Sequence, residues 1–338
     1  MPPGREYVPS GTFRTADCSC NMVRVGDELA AALSAYGISV VHDRTLHDGQ
    51  SYNDAYENSL ASIQSYLAKY PSIVYVLDLH RDAVQDANGT QYKLVTAEDP
   101  AAAQVSLIMG VAHDGWQDNL RLAIAVQEKL IEKIRSEYDD LAVVCYINST
   151  AELKRHSDVC VTSSNAVKIV KALPNKNIFF IPDRNLAHYI AGLVPEKNFI
   201  YNEGFCIVHE YMEVEEIQEA KAAHPEAEVL SHPECPAKVL ELSDFVGSTS
   251  EIIAQAGKSD AKEFIICTES GVLYELQKRN PEKKFYFTET TPICRNMKKV
   301  TLEKVLHVLK TGENEVFVDD KLREESKKPL ERMLELAK

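Results

Sequence analysis

Nowhere in its 338 residues does this chain hold an apolar run approaching the roughly 20 needed to span a bilayer. Its opening residues, MPPGREYVPS, lack the basic stretch and apolar core of a secretory signal, so a cytoplasmic location is expected. Basic residues are short as well: 37 Lys and Arg stand against 51 Asp and Glu, leaving a net charge of −14. That balance argues against nucleic acid or anionic membrane as a partner, since either needs a basic face. The eight cysteines lack the regular spacing of a small disulfide scaffold and read as reduced thiols or metal ligands.

Lysine is unevenly short. Residues 1–130 contain 3 lysines and 6 arginines, whereas residues 131–338 contain 21 and 7. Both parts carry a net charge of −7, so only the choice of cation separates them. Lys and Arg serve a solvated surface similarly, and folding alone gives no reason for the shift. Two sequences of different origin joined near residue 130 would explain it; one gene with a skewed N-terminal part is the alternative.

What is there reads as α/β. In the first part, NMVRVGDELAAALSAYG and SYNDAYENSLASIQSYLAKYP have apolar residues at helical spacing. ISVVHD, SIVYVLDLH and AQVSLIMGV are predicted strands, and a long helix is predicted from about Trp116 to Tyr138. After residue 131 one unit recurs: apolar strand, polar turn, helix. Its predicted strands are LAVVCYIN, NIFFIPD, NFIYNEG, EVLSHPE, DFVGS, EFIICTE and KKFYFTET. Near-continuous apolar strands separated by helices indicate parallel sheets covered on both faces. Most of these strands run into residues able to bind or react: Asn148, Asp183, Cys206, His232, Glu234, Thr249, Glu269 and Cys294. Ligands collect at the carboxyl ends of parallel strands, so the site is expected there. The final helix, KLREESKKPLERMLELAK, is predicted to lie as an amphipathic lid on the last sheet.

The blocks YINSTAELK, DVCVTSSNAVKIV, GFCIVHEY, LSHPECPAKV, DFVGSTS and CRNMKKVTLEKV, taken in order, resemble quinolinate synthase across essentially all of residues 131–338. The resemblance implies αβα three-layer domains, at 131–220 and 221–338, equivalent to the second and third of the family's three. It implies a cytoplasmic transferase of NAD biosynthesis that condenses iminosuccinate with dihydroxyacetone phosphate at a 4Fe-4S cluster. The partners implied are these small molecules, with a homodimer left open. Cys206 and Cys294 look like two of the cluster's three thiolate ligands; soft sulfur suits iron–sulfur chemistry. Cys145, Cys160, Cys235 and Cys267 read as core thiols. Tyr146, Ile147 and Asn148 match a substrate-contacting segment, as do Ser163 and Thr249, either of which could instead simply cap a helix. His232, Pro233 and Glu234 match a substrate-binding trio, with Glu234 and His232 as catalytic candidates and Glu234 as general acid/base. Glu269 and Lys298 are weaker candidates. The family's third cysteine has no counterpart; Cys18 and Cys20 stand in a different context.

RTADCSCNMVRVGDELAAAL, ISVVHDRTLHDGQSYNDAY, VLDLHRDA and WQDNLRLA resemble stage II sporulation protein P over about residues 4–130. That family comprises zinc-dependent peptidoglycan amidases and endopeptidases, and His80 would be a vestigial zinc ligand. One histidine does not hold a catalytic zinc, which needs about three protein ligands, so no zinc is expected. His42, His47 and His113 read as turn residues. Three functional readings follow: a quinolinate synthase by descent with its first domain replaced, a sporulation-type cell-wall hydrolase, and an inactive chimera of two gene fragments.

Overall fold

The structure, a computed structural model, describes residues 17–19, 21–47, 54–79, 84–85, 91–92 and 116–338. The chain divides into two units, Met1–Ser106 and Leu107–Lys338.

In the first unit, helix α1 (Met22–Ala35) starts at Asn21, whose side chain accepts the Val23 amide. Helix α2 spans Ala55–Lys69. The β-branched runs predicted as strands do not pair: residues 38–46 and 73–79 join no ladder. Their apolar side chains stay exposed, Val74 at 80% and Ile38 at 51%. A strand's backbone groups need a neighbour, and among the described residues of this unit the only ladder is a two-residue antiparallel pair, β1 (Val84–Gln85) with β2 (Gln91–Tyr92). The run AQVSLIMGV lies outside the described residues.

The second unit opens with α3 (Trp116–Glu137), within which the change in cation usage falls. Next come β3 (Leu141–Tyr146), α4 (Ala151–Arg155), β4 (Val159–Val161), α5 (Ala166–Ala172), β5 (Asn177–Ile181), α6 (Arg184–Leu193) and β6 (Asn198–Tyr201). The four strands form a parallel sheet in the order β4-β3-β5-β6. Its central strands are β3, buried throughout, and β5, buried from Ile178 onward, and helices cover both faces. Phe179, Phe180, Ile169 and Leu186 are among its fully buried side chains, each worth roughly 2 kcal/mol in removed apolar surface.

The pattern then repeats. Short helix α7 (Ile207–Glu210) and α8 (Val214–Ala223) lead to β7 (Glu228–Ser231), α9 (Ala237–Leu240), β8 (Phe245–Val246), α10 (Thr249–Lys258), β9 (Glu263–Cys267), α11 (Leu273–Arg279) and β10 (Lys284–Tyr286). This sheet is also parallel, ordered β8-β7-β9-β10. In both sheets the second strand in sequence flanks the first, and the third and fourth follow on its other side. Two clusters of buried side chains, one around Ile217 and Val239 and one around Phe264 and Leu276, sandwich it.

Helix α12 (Leu302–Thr311) ends at Gly312, whose φ of 69° is the left-handed conformation that glycine adopts freely. Helix α13 (Asp320–Leu336) corrects the expectation of a lid on the last sheet. It packs on α4, β4 and α5 of the first sheet, where Met333 joins the core and Leu330 and Leu336 pack against it. The flank beside the edge strand β4 is where apolar surface remained to be covered.

Candidate active site

The site forms where the carboxyl ends of the two sheets meet. At the end of β5, Asp183 accepts the Leu186 amide with Oδ1 (2.7 Å), capping α6. Its Oδ2 accepts the Cys206 amide at 2.8 Å. Gly204 brings the chain between them close: Arg184 donates to its carbonyl at 2.7 Å, and a Cβ at this position would collide with the Pro182 carbonyl. The Cys206 loop is therefore pinned to the end of β5 by backbone contacts on both sides.

One turn beyond Cys206, His209 is buried at 6% exposure. Its Nδ1 lies 3.2 Å from Cys206 Sγ and 3.1 Å from Glu234 Oε2. Its Nε2 meets Thr268 Oγ1 at 3.0 Å, just past the end of β9. Glu234 comes from the second sheet, in the turn after β7. There the Glu234 amide donates to His232 Nδ1 at 3.3 Å, and that same nitrogen is 3.3 Å from Glu234 Oε2. The rings of His209 and His232 stack with centroids 4.8 Å apart. Asn185, at the start of α6, donates to the Glu234 carbonyl at 3.0 Å and joins the two halves.

These contacts tune the charges in opposite directions. Burial opposes a charge on His209, but Cys206 and the Glu234 carboxylate outweigh it and push its pKa up to about 9. Burial and the neighbouring His209 cation bring His232 down to about 4, against the pull of Glu234. Burial would raise Glu234, yet the two histidines and Tyr146 hold it below the usual carboxylate range. Asp183 is pushed up to about 6 by burial, with the Glu234 charge adding to it. Burial, and then Glu234, keep the Tyr146 phenol well above its ordinary value and hence neutral. One carboxylate thus supports one imidazolium and leaves the second imidazole neutral.

Around this centre, Tyr146 is the buried last residue of β3, and Ile147 continues the strand by donating to the Val161 carbonyl at 2.9 Å. Asn148 is exposed, Ser163 half-buried, Pro233 buried and Thr249 exposed. Neither hydroxyl caps its helix. Asn165 takes the N-cap position of α5, and Ser248 caps α10 in a reciprocal box with Glu251. Glu269 Oε1 accepts the Cys294 amide at 3.2 Å and pairs with Lys298 Nζ at 3.0 Å, an arrangement that holds the loop after β10. His80, Cys20 and His113 lie outside the described residues. His42 and His47 pair with Asp27 and Asp43, at 3.1 and 3.3 Å.

All six cysteines of residues 116–338 are free thiols, and they fall into two kinds. Cys145, Cys160, Cys235 and Cys267 are buried; Cys235 Sγ packs 3.6 Å from Met212 Sδ and donates to the Cys267 carbonyl at 3.4 Å. Cys206 and Cys294 are half-buried, in loops after β6 and β10. Their donor chemistry fits two positions of a thiolate-held cluster, and the described residues of the second unit supply no third half-buried thiol. Among the described residues, the one group of three ligand types drawn together is Cys206, His209 and Glu234, with ligand atoms within 4.8 Å of one another. Sequence reading passed over His209 and Thr268. The Cys-x-x-His spacing of 206 and 209 was the available signal for the first; nothing local marked the second.

Residues 116–335 match the family described as Quinolinate synthetase A protein. The chain belongs to that family. Over 216 residues it is 50% identical to a quinolinate synthase of Fusobacterium nucleatum subsp. nucleatum, covering 64% of this chain and 72% of that protein. A quinolinate synthase of Clostridioides difficile is 48% identical over 216 residues, 64% of this chain and 71% of its own length. Quinolinate synthase 2 of Methanosarcina acetivorans is 44% identical over the same number, with 64% and 69% covered. Family membership and the parallel α/β sheets agree with what the sequence blocks implied. Residues 5–152 also match the family described as Stage II sporulation protein P, so the two matches overlap at 116–152.

Proposed function

We propose that this chain carries the substrate-handling part of a quinolinate synthase, in two αβα domains at 131–220 and 221–338. The reaction joins iminosuccinate to dihydroxyacetone phosphate and yields quinolinate, one phosphate and two waters. The observation that carries this reading is the buried Glu234 carboxylate 3.1 Å from His209 Nδ1, with the neutral His232 ring stacked against that of His209.

Both substrates are anions, and each elimination needs a proton taken from carbon or nitrogen or delivered to a leaving oxygen. His209, cationic at neutral pH, has its ring nitrogens on Cys206, Glu234 and Thr268, so its charge acts on the reaction through Glu234. Glu234 Oε2 passes protons as general acid/base, and its contact with His209 supplies the charge balance when it does. With its Nδ1 engaged by the Glu234 amide, neutral His232 is left with Nε2 as a hydrogen-bond donor. Tyr146, Ile147, Asn148, Ser163, Pro233 and Thr249 line the substrate's approach and fix its orientation.

Cys206 and Cys294 are the thiolates that would hold a 4Fe-4S cluster. When bound, it supplies a Lewis acid through an iron that no cysteine occupies. The test is anaerobic reconstitution of the full chain followed by assay with both substrates. About four irons per chain and quinolinate formation, lost in Glu234→Gln with iron retained, are expected. Iron retained together with unchanged turnover in Glu234→Gln would overturn the role given to the carboxylate.

A further inference from the structure

We propose that Cys206, His209 and Glu234 form a binding site for a single zinc-type divalent cation whenever the cluster is not in place. The inference goes beyond the reading above: it shares Cys206 with the cluster but makes no use of Cys294.

The geometry is that of a tetrahedral site already half assembled. Zinc bonds to Cys sulfur at about 2.3 Å, and to His nitrogen and carboxylate oxygen at about 2.0–2.2 Å, so ligand atoms on a tetrahedron stand about 3.3–3.6 Å apart. Here His209 Nδ1 lies 3.2 Å from Cys206 Sγ and 3.1 Å from Glu234 Oε2, and all three ligand atoms fall within 4.8 Å. The two edges at His209 lie within about 0.4 Å of these values, and the Cys206–Glu234 edge closes from at most 4.8 Å as the ion is seated.

Each ligand residue is also held by a neighbour outside the group of three. Thr268 Oγ1 is 3.0 Å from His209 Nε2, so with Nδ1 on the metal the ring carries its hydrogen at Nε2 and donates to that hydroxyl. Asn185 donates to the Glu234 carbonyl at 3.0 Å, and Asp183 holds the Cys206 backbone at 2.8 Å. A ligating histidine, carboxylate and thiolate with such outer partners is the arrangement that orients a metal site rather than a chance cluster.

One sulfur, one nitrogen and one oxygen select the class of ion. Magnesium and calcium want oxygen alone, whereas zinc accepts all three donors. His209 and Glu234 are buried while Cys206 is half-buried, which leaves the fourth position open on the thiol's side for water or another small ligand. Zinc and the cluster therefore compete for one thiolate. Cys294 stays outside the group of three, and this separates the two occupancies experimentally.

The full chain, freed of iron anaerobically, is titrated with zinc chloride against a chromophoric chelator, and the bound ion is examined by X-ray absorption. One zinc per chain with one sulfur neighbour is expected. Cys206→Ser and His209→Gln should each weaken binding more than about tenfold, the scale on which even outer partners act. Cys294→Ser should leave zinc affinity unchanged while preventing cluster assembly. Two sulfur neighbours, or equal zinc loss in Cys294→Ser and Cys206→Ser, would overturn the proposal, as would unaltered affinity in His209→Gln. Circular dichroism of each variant checks the fold, and Glu234→Gln, which leaves the Cys-x-x-His turn intact, is a second ligand deletion where His209→Gln fails to fold. Zinc bound as described in a chain that never takes up iron sustains this inference and refutes the cluster; a cluster formed by a chain that binds no zinc does the reverse.

Discussion

Glu234 determines how protons are distributed at the sheet junction. It lies beside two stacked histidines of nearly equal burial, yet one is pushed up to about 9 and the other down to about 4. At His209, bonds to a thiol and a carboxylate outweigh burial, whereas at His232 burial and the neighbouring His209 cation outweigh the pull of Glu234. A histidine whose folded pKa lies above its ordinary 6.5 contributes stability that is complete below that value and is lost as pH rises through about 9. In the metal-free chain, denaturant midpoints should therefore fall across that window, and Glu234→Gln should flatten the fall. Urea unfolding at a series of pH values measures it; an unchanged slope would mean that the carboxylate does not hold the His209 proton.

At the scale of elements, capping explains why the Thr249 hydroxyl is left without a structural role at its helix start. Ser248 accepts the Glu251 amide, and Glu251 reaches back to the Ser248 backbone, so Thr249 is left exposed on the first turn of α10. Ser248→Ala should cost about 1 kcal/mol by thermal or urea unfolding, as loss of a cap does. Thr249→Ala should leave stability within about 0.5 kcal/mol, the usual range for a surface change. In the proposed reading it raises the KM for substrate instead. The elements of the second unit were largely legible because long apolar runs such as NIFFI and EFIIC are buried by helices on both faces. Strand β4, Val159–Val161, is not among the predicted strands. ISVVHD and SIVYVLDLH misled in the other direction: their composition favours strands, but a strand is completed only by a partner, and those stretches have none among the described residues. The site was legible as motifs, GFCIVHEY and SHPE above all. The position of Thr268 behind His209 was not, since it depends on how two sheets meet.

Across the second unit as a whole, one strand order occurs twice, and loops after β5, β6, β7 and β9 bring Asp183, His209, Glu234 and Thr268 to one centre. A site assembled this way draws each group from a different loop, so its precision rests on how firmly the first sheet stands against the second. Helix α13 bears on that firmness through Met333, 8% exposed in the core of the first sheet. Met333→Ala should cost about 2–5 kcal/mol, the range for emptying such a position. Hydrogen exchange should show lost protection in β4 and β3 but not in β9. Equal loss in both sheets would mean that the helix supports the junction rather than its own flank.

Lys168, on the helix that follows β4, donates to the Ala337 carbonyl across 169 residues of sequence. Translation reaches β4 long before it reaches the helix that covers it, so a nascent chain emerges with that flank bare. The first sheet must wait, half clothed and open to chaperones, until the second has been made.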